Sequence, residues 1–168
     1  MMPTHLVKRI NLDLLYPPFL AKVLELLAEC ERRGAHYYCT YGMRTFQEQA
    51  KLYFQGRTTP GKIVTNAKAG YSCHNYGIAV DVVRDADMAK AGLQPDWGTP
   101  GYDLLKEVGE EMDLQVGVAG LSDPGHVQVP LIAKLGRKER DVLAELKTIH
   151  DKDGLEAVWK HIDVLLVK

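Results

Sequence analysis

Ser72-Cys73-His74-Asn75-Tyr76-Gly77-Ile78-Ala79-Val80-Asp81 sets a histidine seven residues ahead of a carboxylate, on a segment that leaves a polar loop and enters an apolar run. Ile78 to Val83 reads as a strand, and because side chains alternate, Ala79, Asp81 and Val83 share one face while Ile78, Val80 and Val82 share the other. A carboxylate among apolar strand residues needs a partner. Far downstream, Asp123-Pro124-Gly125-His126-Val127-Gln128 supplies a second histidine on another short strand, His126 to Val129, in which His126 and Gln128 point the same way. If the two strands pair, the histidine and the carboxylate meet across the sheet; the helical His-x-x-x-His spacing is absent from this region. Two imidazoles and a carboxylate can give zinc three ligands and leave the fourth position to water, whose pKa then falls toward neutrality. A further carboxylate nearby would complete the deprotonation, and Asp123 is the candidate.

The rest of the chain builds around these two segments. Pro17-Pro18 followed by Phe19, Val23, Leu24, Leu26 and Leu27, and closed by Gly34, predicts an amphipathic helix with proline at its start and glycine just past its end. His36 to Met43 suits a strand, after which Thr45 and Glu48 have capping-box spacing and predict a helix to about Gln55, ended by Gly56. Residues 57–71 read as a loop able to shape a cleft, and residues 85–98 as turn and short helix. Pro100 to Met112 predicts a helix with Tyr102, Leu104, Leu105 and Val108 inward, and Gln115 to Val118 a short strand. Beyond Pro130, interruptions at Gly136 and Gly154 predict two closing helices, the last with Leu155, Val158, Trp159, Ile162, Leu165 and Leu166 on one face. The expected fold is α+β, a small antiparallel sheet carrying the metal site and covered by helices. The expected organisation is a catalytic domain over residues 1–135 and a helical extension over 136–168 packed on it.

With 168 residues, 46% hydrophobic and 26% charged, the chain is long enough to bury a core without disulfides. A formal net charge of -1 gives no bulk attraction for nucleic acid. No stretch has the length of a membrane span, and Met1 to Asn11 lacks the apolar core of a signal peptide, so a cytoplasmic origin without membrane insertion is expected. Cys30, Cys39 and Cys73 are odd in number with no Cys-x-x-Cys spacing, which predicts free thiols.

The order Ser-x-His-x-x-Gly-x-Ala-x-Asp and then Asp-x-x-His-Val-Gln resembles the zinc peptidases that cut bacterial cell-wall peptides at or near D-amino acids. These are the D-alanyl-D-alanine carboxypeptidases and the L-alanyl-D-glutamate endopeptidases of phage endolysins. Tyr41-Gly42-Met43-Arg44-Thr45, with Gln49 behind it, is similar to the family's Gly-x-Arg-Thr segment. The resemblance implies zinc bound by His74, Asp81 and His126, Asp123 as general base, Arg44 as a substrate-binding and charge-stabilising residue, and Ser72 near the substrate. It also implies peptidoglycan stem peptides as partner and, for a small chain of this kind, an endolysin released from the host cytoplasm to the wall; separately from the resemblance, a monomer is the expected state. Where the family often carries an acidic residue two after the last histidine, this chain has Gln128.

Each residue has a structural alternative. His74 can be a satisfied loop histidine, His126 a sheet residue bonded to backbone, Asp123 the cap of an Asp-Pro-Gly turn, and Arg44 the partner of Glu48 on its own helix. Gln128 reads either as a residue that orients a ligand or as a solvated strand position. The ligand reading prevails because both histidines fall in matching motifs and Asp81 otherwise has no reason to occupy an apolar strand. Cys73 is set aside as a nucleophile, since its neighbour His74 points the other way in an extended segment. Gly77 is assigned to backbone geometry, and Trp97 and Tyr102 to packing or to a cleft wall. His5, His36, His150 and His161 lack ligand spacing. Two rivals remain: a carboxypeptidase of the same class, and a silent wall-binding module stabilised by zinc.

Overall fold

The computed structural model describes residues 11–118 and 123–167, so His5 and most of the amino-terminal segment read above lie outside it. The described chain is α+β, and every ladder between its strands is antiparallel. It divides into two compact units, one formed by Met1–Gly42 and Ala79–Val129, the other by Met43–Ile78 and Pro130–Lys168.

The first unit holds the sheet. Its strands β1 (Tyr37–Tyr41), β2 (Ala79–Asp85), β4 (Gln115–Val116) and β5 (His126–Gln128) run in the order β1-β2-β5-β4, and β3 (Pro95–Asp96) pairs with the far end of β2. Val80, Val82 and Val83 of β2 are fully buried, whereas Asp81 is only partly so. Two helices pack on each other in this unit, α1 (Pro17–Arg32) along β1 and α3 (Asp103–Glu111) along β4. Phe19, Val23, Leu24, Leu26, Leu27 and Cys30 of α1 form its buried stripe, at the helical spacing that the sequence shows. A Cβ on Gly109 of α3 would stand 2.3 Å from a methyl of Val116, so glycine is what lets this helix approach β4.

Residues 85–98 differ from the expected turn and short helix. They form a turn that ends in β3, fixed where Asp85 Oδ1 accepts from the backbone N–H of Asp87 and of Gln94 and where Arg84 pairs with Asp96 at 3.0 Å. Tyr102 is a packing residue. Its hydroxyl donates to the Asp96 carbonyl at 2.9 Å and accepts from the Arg84 N–H at 3.2 Å, and its ring lies 5.7 Å from that of Tyr37, whereas Trp97 is exposed.

Gly125 carries the tightest approach in the sheet. Its carbonyl accepts from Val82 N–H at 2.8 Å, which extends the β2–β5 ladder beyond His126. A Cβ there would stand 2.2 Å from the Val82 carbonyl oxygen. Gly125→Ala must push β5 away from β2, and the expected cost is about 1–3 kcal/mol, read as a lower urea midpoint with unchanged slope.

The second unit is helical. Thr45 and Glu48 form the reciprocal capping box of α2 (Phe46–Phe54), and Gly56 just beyond the helix has φ +75°. Residues 57–71 contain no helix and no strand beyond an isolated bridge between Gln55 and Thr59. After Pro130 come three helices where the sequence predicts two: α4 (Leu131–Leu135), α5 (Glu139–Asp153) and α6 (Leu155–Val167). Gly136, at φ +59°, ends the extra short one. Val158 and Ile162 are the buried centre of the α6 stripe, and Trp159 Nε1 donates to the Tyr76 carbonyl at 2.8 Å.

Candidate metal centre

His74 sits on a short 3-10 turn, Cys73–Tyr76, that Gly77 closes in the left-handed region at φ 66°, ψ 24°. A side chain at Gly77 would strain that closure, so this glycine is what the turn needs to release the chain into β2. Two bonds knit the turn to the Arg44 segment and a third ties it to Gly70. The Arg44 N–H donates to the His74 carbonyl at 2.9 Å, and the fully buried Asn75 side chain donates to the Arg44 carbonyl at 2.8 Å while accepting from the Gly70 N–H at 3.0 Å.

Asp81 and His126 stand directly opposite each other in the β2–β5 ladder. His126 Nδ1 lies 3.2 Å from Asp81 Oδ1, and His126 Nε2 lies 2.8 Å from Gln128 Oε1. One ligand atom from each of His74, Asp81 and His126 can be chosen so that all lie within 4.8 Å of one another, which makes them a group that could hold a metal ion. The donor set fits zinc. Two ligands about 2.1 Å from a tetrahedral zinc are separated by roughly 3.4 Å, close to the His126–Asp81 distance. Burial opposes a positive charge on His126, but the hydrogen bonds to Asp81 and Gln128 and the charges of Asp81 and Asp123 outweigh it, and its pKa lies above the ordinary histidine value. The carboxylates of Asp81 and Asp123 thus set negative charge beside this ring.

Asp123 is exposed, three residues ahead of His126 at the entry to the Pro124-Gly125 turn. Ser72 is half-buried, with extended backbone, at the start of the His74 turn. Arg44 Nη1 donates to Gln49 Oε1 at 2.9 Å, while Glu48 is engaged in the capping box. The Gln49 side chain, fully buried, also donates to the Ala67 carbonyl at 2.7 Å, so one amide ties Arg44 to the loop 57–71.

The three cysteines are free and buried, and burial pushes the Cys73 thiol up to about 12, which leaves no thiolate for a nucleophilic role at neutral pH. Among the other histidines, His150 stacks on Phe46 with ring centroids 4.6 Å apart, His161 bonds to Glu145, and His36 lies 3.6 Å from Glu31. The sequence reading missed Asn75 altogether. Its only signal is a small amide beside a ligand-spaced histidine.

Known proteins resemble this chain. A 56-residue stretch is 50% identical to the peptidoglycan L-alanyl-D-glutamate endopeptidase CwlK of Bacillus subtilis (strain 168), covering 33% of this chain and 34% of that protein. The chain thus matches about a third of the length of that curated relative. The solved structure of the Serratia marcescens L-Ala D-Glu endopeptidase ChiX aligns over 79% of this chain and 87% of its own, with TM-score 0.48 and 20% identity. The L,D-carboxypeptidase DacB of Streptococcus pneumoniae aligns over 81% and 76%, with TM-score 0.47 and 20% identity. The model of the family described as VanY, D-alanyl-D-alanine carboxypeptidase, matches residues 14–116, which include Arg44, Ser72, His74 and Asp81 and stop before Asp123 and His126. Since that match takes in more than half of its length, the chain belongs to the VanY family.

Proposed function

We propose that the protein is a zinc peptidase that cleaves the L-alanyl-D-glutamate bond of peptidoglycan stem peptides, in the manner of a phage endolysin. The observation that carries the proposal is the convergence of His74, Asp81 and His126 on one point, within a chain of the VanY family. The choice of bond follows the half-identical stretch shared with CwlK, whose name gives that specificity.

In this reading His74, Asp81 and His126 hold zinc. Bound there, zinc supplies a Lewis acid that polarises the scissile carbonyl and acidifies water. Asp123, exposed beside His126, takes a proton from the attacking water and then passes it to the leaving amine. Arg44, locked by Gln49 at the guanidinium and by Asn75 at the backbone, presents paired donors to a substrate carboxylate or a developing oxyanion. Ser72 lies beside the substrate, at the entrance to the His74 turn. As an endolysin the protein passes from the host cytoplasm to the wall and acts as a monomer. Among the described residues no helix is long and apolar enough to cross a membrane. The family's own description supports a second reading, removal of terminal D-alanine.

Mass spectrometry of purified peptidoglycan digested with the zinc-loaded protein, against a chelated control, separates these readings. New ends between L-alanine and D-glutamate, seen only with metal, are the expected result. Release of free D-alanine would replace it with the carboxypeptidase. Absence of zinc-dependent cleavage from every wall type tried would leave a metal-stabilised binding module.

A further inference from the structure

We infer that Gln128 is a positioning residue that fixes which nitrogen of His126 faces the metal. The inference rests on the zinc reading above and adds to it a role for a residue where the sequence pattern leads one to look for an acid. His126 and Gln128 project from the same face of β5, and both are buried. Gln128 and Gln115 stand directly opposite each other in the β4–β5 ladder, and Gln128 Nε2 donates to Gln115 Oε1 at 3.2 Å. That bond turns the amide so that its oxygen faces the imidazole, with Oε1 2.8 Å from His126 Nε2.

An amide oxygen can only accept. His126 Nε2 must therefore carry a hydrogen, and the neutral ring keeps its lone pair on Nδ1, the nitrogen 3.2 Å from Asp81 Oδ1. The relay Gln115–Gln128–His126 thus selects Nδ1 as the ligand atom and holds the ring plane through two strands rather than through one side chain. A neutral amide does this without placing another negative charge behind the imidazole, next to Asp81 and Asp123. The partner groups behind metal-binding histidines have consequences of this kind for tautomer and affinity in general.

The test reads metal and ring nitrogens, not turnover. Zinc affinity, measured by competition with a chromophoric chelator, is expected to fall about 10- to 100-fold in Gln128→Leu and to be retained in Gln128→Glu, which keeps an acceptor at the same point. Nitrogen-15 NMR of the zinc-loaded wild-type protein is expected to show His126 with a hydrogen on Nε2 and metal on Nδ1. Undiminished affinity in Gln128→Leu, or metal on Nε2 of His126, would overturn the inference, and the wild-type spectrum decides even if Gln128→Leu does not fold. Failure of the underlying zinc reading looks different: the wild-type protein and His74→Ala would then bind zinc equally weakly, and the inference would go with it.

Discussion

On the proposed reading, Asp123→Ala is expected to keep the fold and the bound zinc and to lower turnover of peptidoglycan by about 10²- to 10⁴-fold, the usual worth of a positioned general acid–base group. The retained zinc follows from position. Asp123 is outside the three-residue ligand group, and its side chain is exposed, so its removal opens no cavity and strips no ligand. The loss of turnover follows from spacing: the Pro124-Gly125 turn brings the chain from Asp123 straight onto His126, close enough for the Asp123 charge to raise the pKa of that histidine. Metal analysis of the purified variant, a urea melt and single-turnover digestion of cell wall read the three consequences independently. Asp123→Asn sharpens the result, because the amide keeps the size of the side chain and cannot take the proton. Turnover within threefold of wild type in both variants, with zinc content unchanged, would assign the proton transfer to another group.

The elements that place this site were legible in the sequence to the extent that a periodicity or a cap announces them. Alternation through Ile78 to Val83 and through His126 to Val129 put Asp81, His126 and Gln128 on definite faces; the pairing of the two strands is only a condition in the sequence, and the ladder meets it by setting Asp81 opposite His126. The capping box at Thr45 and the proline start of α1 are likewise local, and both are present. What escaped has no local period. β3 is two residues long and exists because Arg84 pairs with Asp96 and because the Asp85 carboxylate organises the turn between them. α4, at five residues, is shorter than the patterns by which a helix is recognised. The amides of Asn75 and Gln49 act on groups distant in sequence, mostly backbone carbonyls and N–H groups that every residue carries, so nothing in residue type distinguishes them from solvated amides. Burial is what marks them. An amide sealed from water must satisfy both its ends, and each does so at the edge of the ligand group or on Arg44.

On the same reading, His126→Ala and His74→Ala are expected to abolish both zinc binding and cleavage, and this double loss separates them from Asp123→Ala. Each removes one of three ligands; the remaining two, a single imidazole and one carboxylate, cannot hold zinc at the affinity a hydrolytic site needs. The consequence for stability carries more information than the loss of activity. Zinc that binds only the folded wild-type protein stabilises it by about 2.7 kcal/mol at a free concentration 100 times its Kd, and the melting temperature rises accordingly. Neither variant is expected to respond to zinc at all. Without metal, His126→Ala removes one partner of Asp81 and one of the buried Gln128 amide and should cost about 1–3 kcal/mol. A calorimetric scan of the three proteins with and without zinc tests both expectations, and a full zinc response in either variant would remove that histidine from the ligand set.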